Sequence, residues 1–210
     1  MSDASLWLSV GVQVCLGVSL AACAGLRAFL PLLVLSLLAR SGYINVAENF
    51  QWIGSNPAMI VFGVATAVEI MGDKIPMVDN FLDSAGFFIK PVAGTLLFST
   101  VIIKMDPLLA VVLGIIAGGS LSELVHVRKA ALRLASTSLS AGAGNPFLSF
   151  AEDAGAVAGV ALSFLLPILA AFVVLIGLYV AYRLYRRHLE RKKERMCPAG
   201  MDMTEGMAEI

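Results

Sequence analysis

The chain reads as an all-α, polytopic transmembrane helix bundle of about six to seven spans, with short or broken helices and one interfacial amphipathic helix. Three observations predict it. Of 210 residues, 59% are hydrophobic and only 14% charged, with a mean hydropathy of +0.86, where a soluble domain carries about 25% charged and 45–50% apolar residues. Apolar runs are punctuated by proline, glycine and charge rather than by the alternation of half-buried strands. The length accommodates roughly five to seven spans of about 20 residues with short connections, and no additional soluble domain of ordinary size.

The first apolar run, Leu6 to Ala39, is interrupted at Gly25, Arg27 and Pro31. It is too long for one perpendicular span of about 20 residues and short for two, and is read as helices over 6–24 and 27–39. One bent helix is the alternative and lowers the span count to six. Leu20-Ala21-Ala22-Cys23 matches a bacterial lipobox, but no positive charge precedes it, as a signal peptide requires. Gly17, Ala21, Ala24 and Gly25 instead form a small-residue face for close helix packing. Cys15, Cys23 and Cys197 make no disulfide framework, and the first two are read as small core hydrophobes.

A polar loop, 40–56, carries Tyr43 and Trp52 as interfacial aromatics. Ser55-Asn56-Pro57 starts a span over 57–72, since Asn can cap and Pro suits the first turn. The stretch 73–90 is the most polar internal segment. Asp79 and Asp83 share one face, with Phe81, Leu82, Phe87 and Phe88 as apolar partners, which predicts an interfacial amphipathic helix. A short span over 91–104 ends in the turn Lys104-Met105-Asp106-Pro107. The next, 107–126, places Gly114, Gly118, Gly119 and Ser120 at helical spacing for a close neighbour and runs on through Arg128, Lys129 and Arg133 into the interface. A Ser/Gly loop over 136–145 precedes Gly144-Asn145-Pro146, a second start signal. Spans over 147–165 and 168–185 are separated or kinked at Pro167.

The transmembrane domain is thus 1–182. The tail, 183–210, is basic and then acidic and Met-rich, and is expected to be disordered at its end. Its Met196, Cys197, Met201, Met203 and Met207 are soft copper-type ligands only if that end is ordered. Placing Arg183, Arg186, Arg187, Arg191, Lys192, Lys193 and Arg195 in the cytoplasm puts Lys74, Lys90, Arg128, Lys129 and Arg133 on the same side, Arg27 near it, and only Arg40 and Lys104 outside. Net charge is zero; the basic run is read as a juxtamembrane anchor and not as a nucleic-acid surface.

Acidic residues inside these apolar segments are the functional signal, because a carboxylate near hydrocarbon costs a few kcal/mol or more unless paired or wetted. Glu69 lies roughly 18 Å along its span from Pro57, about 12 Å short of the inner face of a core about 30 Å thick. Glu152 lies roughly 9 Å beyond Pro146 on a span of opposite direction, and Glu123 near the inner end of another. The carboxylates therefore converge on the cytoplasmic third of the bilayer. Glu69 and Asp73 share a helix face, as do Glu123 and His126. Glu-x-x-His is half of a carboxylate di-metal pattern, so Glu69, Glu123, His126 and Glu152 are the metal candidates. Oxygen ligands suit hard cations or protons. Alternatively, Arg27 pairs with Glu69 or Glu152 to hold the bundle, Asp153 begins a helix where acids are favoured, and His126 is interfacial. No Ser-His-Asp set, Gly-x-Ser-x-Gly, phosphate loop or Cys-x-x-Cys occurs, so neither catalysis nor a cofactor is expected.

Gly25-Leu-Arg-Ala-Phe-Leu-Pro-Leu-Leu33, Glu69-Ile-Met-Gly-Asp-Lys-Ile-Pro-Met-Val-Asp79, Lys90-Pro-Val-Ala-Gly94 and Leu148-Ser-Phe-Ala-Glu-Asp153 together resemble a bacterial multi-pass membrane family, domain-of-unknown-function family four-one-two-six, over about residues 10–180. The resemblance implies an inner-membrane protein and no activity. Its family-like positions are Arg27, Glu69, Asp73, Lys74, Asp79, Glu152 and Asp153. Glu69-Ile-Met-Gly72-Asp73-Lys74 is also similar to the Glu-x-Gly-Asp-Lys/Arg-Thr/Ser signature of a cation/proton exchanger family, with one extra residue before Gly72 and Ile75 in place of Thr/Ser.

The expectation is an inner-membrane protein with a cytoplasmic C-terminus that moves a cation or small polar solute through an acidic pocket. Glu69, Asp73, Glu152 and Asp153 would be the binding carboxylates, Arg27 the counter-charge, Lys74 and Glu123 further members of the binding set, and Asp79 and Asp83 would form the entrance. A scaffold whose ion pairs fix helix register and a lipid-modifying enzyme are the alternatives. Expected partners are the bilayer and a cation or proton; nucleic acid is not expected, and a homo-oligomer is an allowed state.

Overall fold

Apolar sequence with few turn residues gives helix throughout the described chain. The computed structural model describes residues 3–73, 76–140 and 145–196, and among them there is no strand. Helix α1 (Asp3–Leu26) is followed by α2 (Phe29–Arg40), a 3₁₀ helix (Glu48–Gly54), α3 (Asn56–Gly72), α4 (Pro76–Val101), α5 (Pro107–Leu113), a π-helical segment (Gly114–Gly119), α6 (Ser120–Ser140), α7 (Asn145–Leu165) and α8 (Pro167–Met196). Residues through Ala171 form one unit and those from Phe172 a second, whose described residues are the rest of α8.

The start and stop chemistry is local. Ser55 caps α3 by accepting from the Ala58 N–H, with Pro57 in the first turn, and Asp106 caps α5 by accepting from Leu108 and Leu109, satisfying donors that have no partner inside the helix. Gly42, at φ 75°, closes α2 in the left-handed region that only glycine adopts without strain. Ser36 Oγ donates to the Ile53 carbonyl (2.6 Å) and Ala47 N–H to that of Thr100 (2.9 Å), which ties the following loop to α2 and α4.

Helix α1 is the hub, packing on α4, α6 and α7, while α2 packs on α3. Its small-residue face makes the close approaches that the sequence predicts. A Cβ on Gly25 would lie 2.5 Å from the Ser122 carbonyl oxygen of α6. At the crossing of α4 with the π-helical segment, a Cβ on Gly94 would lie 2.5 Å from the Gly118 carbonyl oxygen, and the reverse holds for Gly118. Cys23 is buried and Cys15 half-buried, both as free thiols. Outside this core, Ile60, Val61, Val64 and Val68 on α3, Ile115 and Ile116, and Phe150 and Val157 on α7 are exposed. Apolar surface on this scale suits lipid rather than water.

The span count differs from the six to seven expected. Among the described residues, four helical stretches are long and apolar enough to cross a bilayer (Phe81–Val101, Pro107–Ser136, Leu148–Leu165 and Pro167–Leu184), or five if the 3₁₀ helix and α3, bent by 63°, count as one. Val10–Leu26 and Phe29–Arg40 are shorter. At 12 residues, α2 reaches only about 18 Å, against a hydrocarbon core of about 30 Å. The separate interfacial helix predicted over 73–90 does not form. It is continuous with the next span as α4, which runs straight through Pro91; helices packed in a membrane tolerate an interior proline. The loop placed at 136–145 also starts later, since α6 continues to Ser140.

Candidate functional site

The break between α1 and α2 sets the site. Arg27 N–H still bonds the Cys23 carbonyl at the end of α1, but Ala28 and Phe29 open a new helix with unsatisfied N–H groups. Glu69, one turn before the end of α3, meets both: its carboxylate oxygens accept from Ala28 N (2.9 Å) and Phe29 N (3.2 Å). A carboxylate at a helix start is favoured by the exposed donors and the dipole together. The Glu69 carbonyl in turn accepts from Arg27 Nη1 (3.0 Å).

Arg27 is fully buried (0% exposed). Its Nη1 pairs with Asp73 Oδ2 (2.7 Å) and its Nη2 with Asp153 Oδ1 of α7. Helix α6 supplies the other cations. Ser122, His126, Lys129 and Arg133 are all buried and recur at intervals of three and four, which makes one helix face. Arg133 grips Glu152 with two nitrogens, Nε to Oε1 (3.3 Å) and Nη2 to Oε2 (2.9 Å). It also reaches Asp73 Oδ2 (3.1 Å) and, more loosely, Asp83 Oδ2 (3.7 Å). Lys129 Nζ lies 3.1 Å from Glu152 and 3.7 Å from Asp73. Oδ2 of Asp73 thus faces Arg27, Lys129 and Arg133. Burial by itself would raise the pKa of Asp73, which lies just past the last residue of α3. The surrounding Lys129, Arg27 and Arg133 charges outweigh it and hold the carboxyl below the usual range.

Lys90 is set apart from this network. It is buried in α4 (4% exposed), and among the described residues no carboxylate comes within ion-pair distance of it. Its Nζ lies 2.7 Å from His126 Nδ1, and His126 Nε2 lies 3.2 Å from the Asp83 carbonyl. The partners assign the tautomer: Nδ1 accepts from the ammonium, and Nε2–H donates to the carbonyl. Phe87 meets the imidazole edge-on at 4.9 Å.

A cavity of about 450 Å³ lies between α2, α3 and α4, within the range of about 300–1,000 Å³ usual for small-molecule sites. Its surface is mostly apolar, with Phe29, Ile60, Val64, Val68 and Ile89 among the walls, and Glu69, Asp73, Asp83, Lys90 and Lys129 add charged groups to the lining.

The structure therefore brings together Arg27, Glu69, Asp73, Asp83, Glu152 and Asp153; of the three carboxylates that the depth argument set level, Glu69 and Glu152 join this cluster and Glu123 does not. It corrects the rest of that reading. The pocket is not simply acidic, because Lys90 and Lys129 share its lining. The carboxylates paired with Arg27 are those of Asp73 and Asp153 rather than of Glu69 or Glu152. Asp153 lies inside α7 and does not open it. Lys129 and Arg133, expected at the interface, are buried in the network, and with Lys90 they are the functional residues that the sequence reading missed. The available signal was their register with Ser122 and His126. Glu123 falls beside that face, makes no ion pair among the described residues, and leaves Oε2 buried without a hydrogen-bond partner. His126 is buried and meets Lys90 and the Asp83 carbonyl. Among the described residues no group of three or more His, Cys, Asp or Glu side chains is placed to hold a metal ion. Lys74, the Asp79 side chain and the Met-rich end of the tail lie outside the described residues.

Residues 14–187 match a family model described as "Domain of unknown function (DUF4126)". No curated protein and no solved structure matches the chain.

Proposed function

The chain belongs to the DUF4126 family, and we propose that it is an integral inner-membrane protein that binds a small polar solute in the α2–α3–α4 cavity and passes it across the bilayer. One observation carries this reading: an open volume of about 450 Å³ along α3 is lined mostly by apolar side chains with charged Asp83 and Lys90 among them. A network that served only to lock helices would have no use for such a space beside Asp73 and Lys90. The charge balance of the lining favours a solute with a negative and a positive group over a bare cation. We assign no catalytic step. The basic residues Arg183, Arg186 and Arg187 support a cytoplasmic C-terminus.

A second role is favoured for part of the network. Glu152 is held by Arg133 and Lys129 and does not line the cavity. That pairing fits a register lock between α6 and α7. The proposed division is therefore a structural half, Arg133–Glu152 and Arg27–Asp153 with Glu69 and Asp73, and a binding half, Asp83 and Lys90.

Purified protein in proteoliposomes tests the proposal by uptake of protons, alkali cations and small zwitterionic solutes. The expected result is saturable uptake of a zwitterion, reduced by Asp83→Asn. Absence of uptake across the whole panel contradicts transport.

A further inference from the structure

We infer that the natural occupant of the cavity is a zwitterionic phospholipid with a primary-ammonium headgroup, drawn sideways from the bilayer, with its phosphate on Lys90 and its ammonium on Asp83. The inference rests on reading the cavity as a binding site, and it names the solute class; it does not require flux.

The charge pattern selects the headgroup. Glu69 is committed to the start of α2, and Asp73 is shared among three cations. Two charges on the cavity wall are not so committed. Lys90 is buried against His126 Nδ1; Glu69, Asp83 and Asp73 act on it only from beyond ion-pair distance, and a buried ammonium without a direct ion pair is costly. Asp83 is 28% exposed at its side chain and lies 3.7 Å from its single described ion-pair partner, Arg133. The site therefore offers one cation and one loosely held anion, the complement of a phosphate joined to an amine.

Their order fits as well. Asp83 and Lys90 are seven residues apart on α4, two turns along one face and roughly 10 Å in rise. Gly86, between them, also lines the cavity, and its missing side chain makes room for the His126 ring, which lies 3.0 Å from where a Cβ would sit. Lys90 is the deeper of the two, toward the middle of the span Phe81–Val101, and Asp83 is nearer its start. A phospholipid entering tail-first presents acyl chain, phosphate and amine in that same order. Helix α3 gives the chain its surface: Ile60, Val61, Val64 and Val68 line the cavity and are also exposed on the outside of the bundle. The wall of the cavity is thus continuous with the lipid-facing surface, so a lipid can slide in laterally without crossing a polar barrier.

Native mass spectrometry of the full chain, released from nanodiscs holding equal amounts of phosphatidylethanolamine, phosphatidylcholine and phosphatidylglycerol, tests this. The expected result is one retained phosphatidylethanolamine per chain, in preference to the other two. The choline group has no N–H to offer Asp83, and the glycerol headgroup has no cation. Lys90→Ala should lower retention of all three by about tenfold or more, the effect of removing one charged hydrogen-bond partner. Asp83→Asn should abolish the preference for the amine while leaving phosphate binding. Val64→Trp, which fills the cavity from its lipid-facing wall and touches no ion pair, should abolish retention and serves if Lys90→Ala does not fold. Equal retention of the three lipids by the wild-type chain overturns the inference, as does retention unchanged in Val64→Trp. Selective lipid retention without solute uptake overturns the transport reading alone; solute uptake with unselective lipid retention overturns this inference alone.

Discussion

The carboxylate of Glu69 accepts hydrogen bonds from the backbone N–H groups of Ala28 and Phe29 at 2.9 and 3.2 Å, so a side chain of α3 holds the first turn of α2. An acid that resembles an ion ligand by its place in the sequence is, in the fold, the cap of a neighbouring helix. Its removal is a matter of helix geometry as much as of charge.

Glu69→Ala should therefore lower stability by about 1–3 kcal/mol, the usual consequence of leaving buried donors unsatisfied. Glu69→Gln, which keeps one acceptor oxygen, should lower it by less. Reversible unfolding in mixed micelles gives both values, and equal losses for the two variants would show that the cap is not what Glu69 contributes.

Arg133→Ala takes the bidentate partner from buried Glu152, leaving it Lys129 at 3.1 Å, and should destabilise by up to about 3–5 kcal/mol. Replacing both partners, Arg133→Met with Glu152→Leu, should cost markedly less than the sum of the single changes. A double-mutant cycle reads the coupling directly. Additive losses would mean that the two side chains do not pair.

The depressed pKa of Asp73 makes a signed prediction. A group whose folded pKa lies below its unfolded value adds stability that is complete above the unfolded value, about 3.9 for Asp, and fades as pH falls through the folded value. Wild-type protein should therefore lose stability in that acid window, and Asp73→Asn should lose less there while being less stable at neutral pH. Parallel pH profiles would contradict the ion-paired environment of Asp73.

Gly94 and Gly118 leave no room for a methyl group, since an added Cβ on either would sit 2.5 Å from the other's carbonyl oxygen. Gly94→Ala should force α4 from the π-helical segment and destabilise by about 1–3 kcal/mol. Gly177, whose added Cβ would meet nothing within 4 Å, is the control and should tolerate alanine.

Much of the fold was legible because apolar runs and their punctuation are local. The α1–α2 break at Arg27, the start at Ser55–Pro57 and the turn before Pro107 fall where the sequence places them. The convergence of Arg27, Glu69, Asp73, Glu152 and Asp153 was legible too, since antiparallel threading fixes relative depth. What stayed hidden depends on rotation about helix axes. Lys129 and Arg133 look like interfacial charges until their register with Ser122 and His126 turns them inward. The pairing of Glu69 with backbone donors rather than with Arg27 depends on where α2 happens to begin. The continuity of α4 through Pro91 depends on packing that no local signal carries.

The most direct test of the central claim, that the cavity between α2, α3 and α4 is the working site, is solute uptake by proteoliposomes carrying Ala65→Trp, which plugs the cavity from α3 and leaves every charged group in place. Uptake present in wild type and abolished in this variant, with its unfolding transition retained, is the predicted result. Uptake that is the same in both would contradict it.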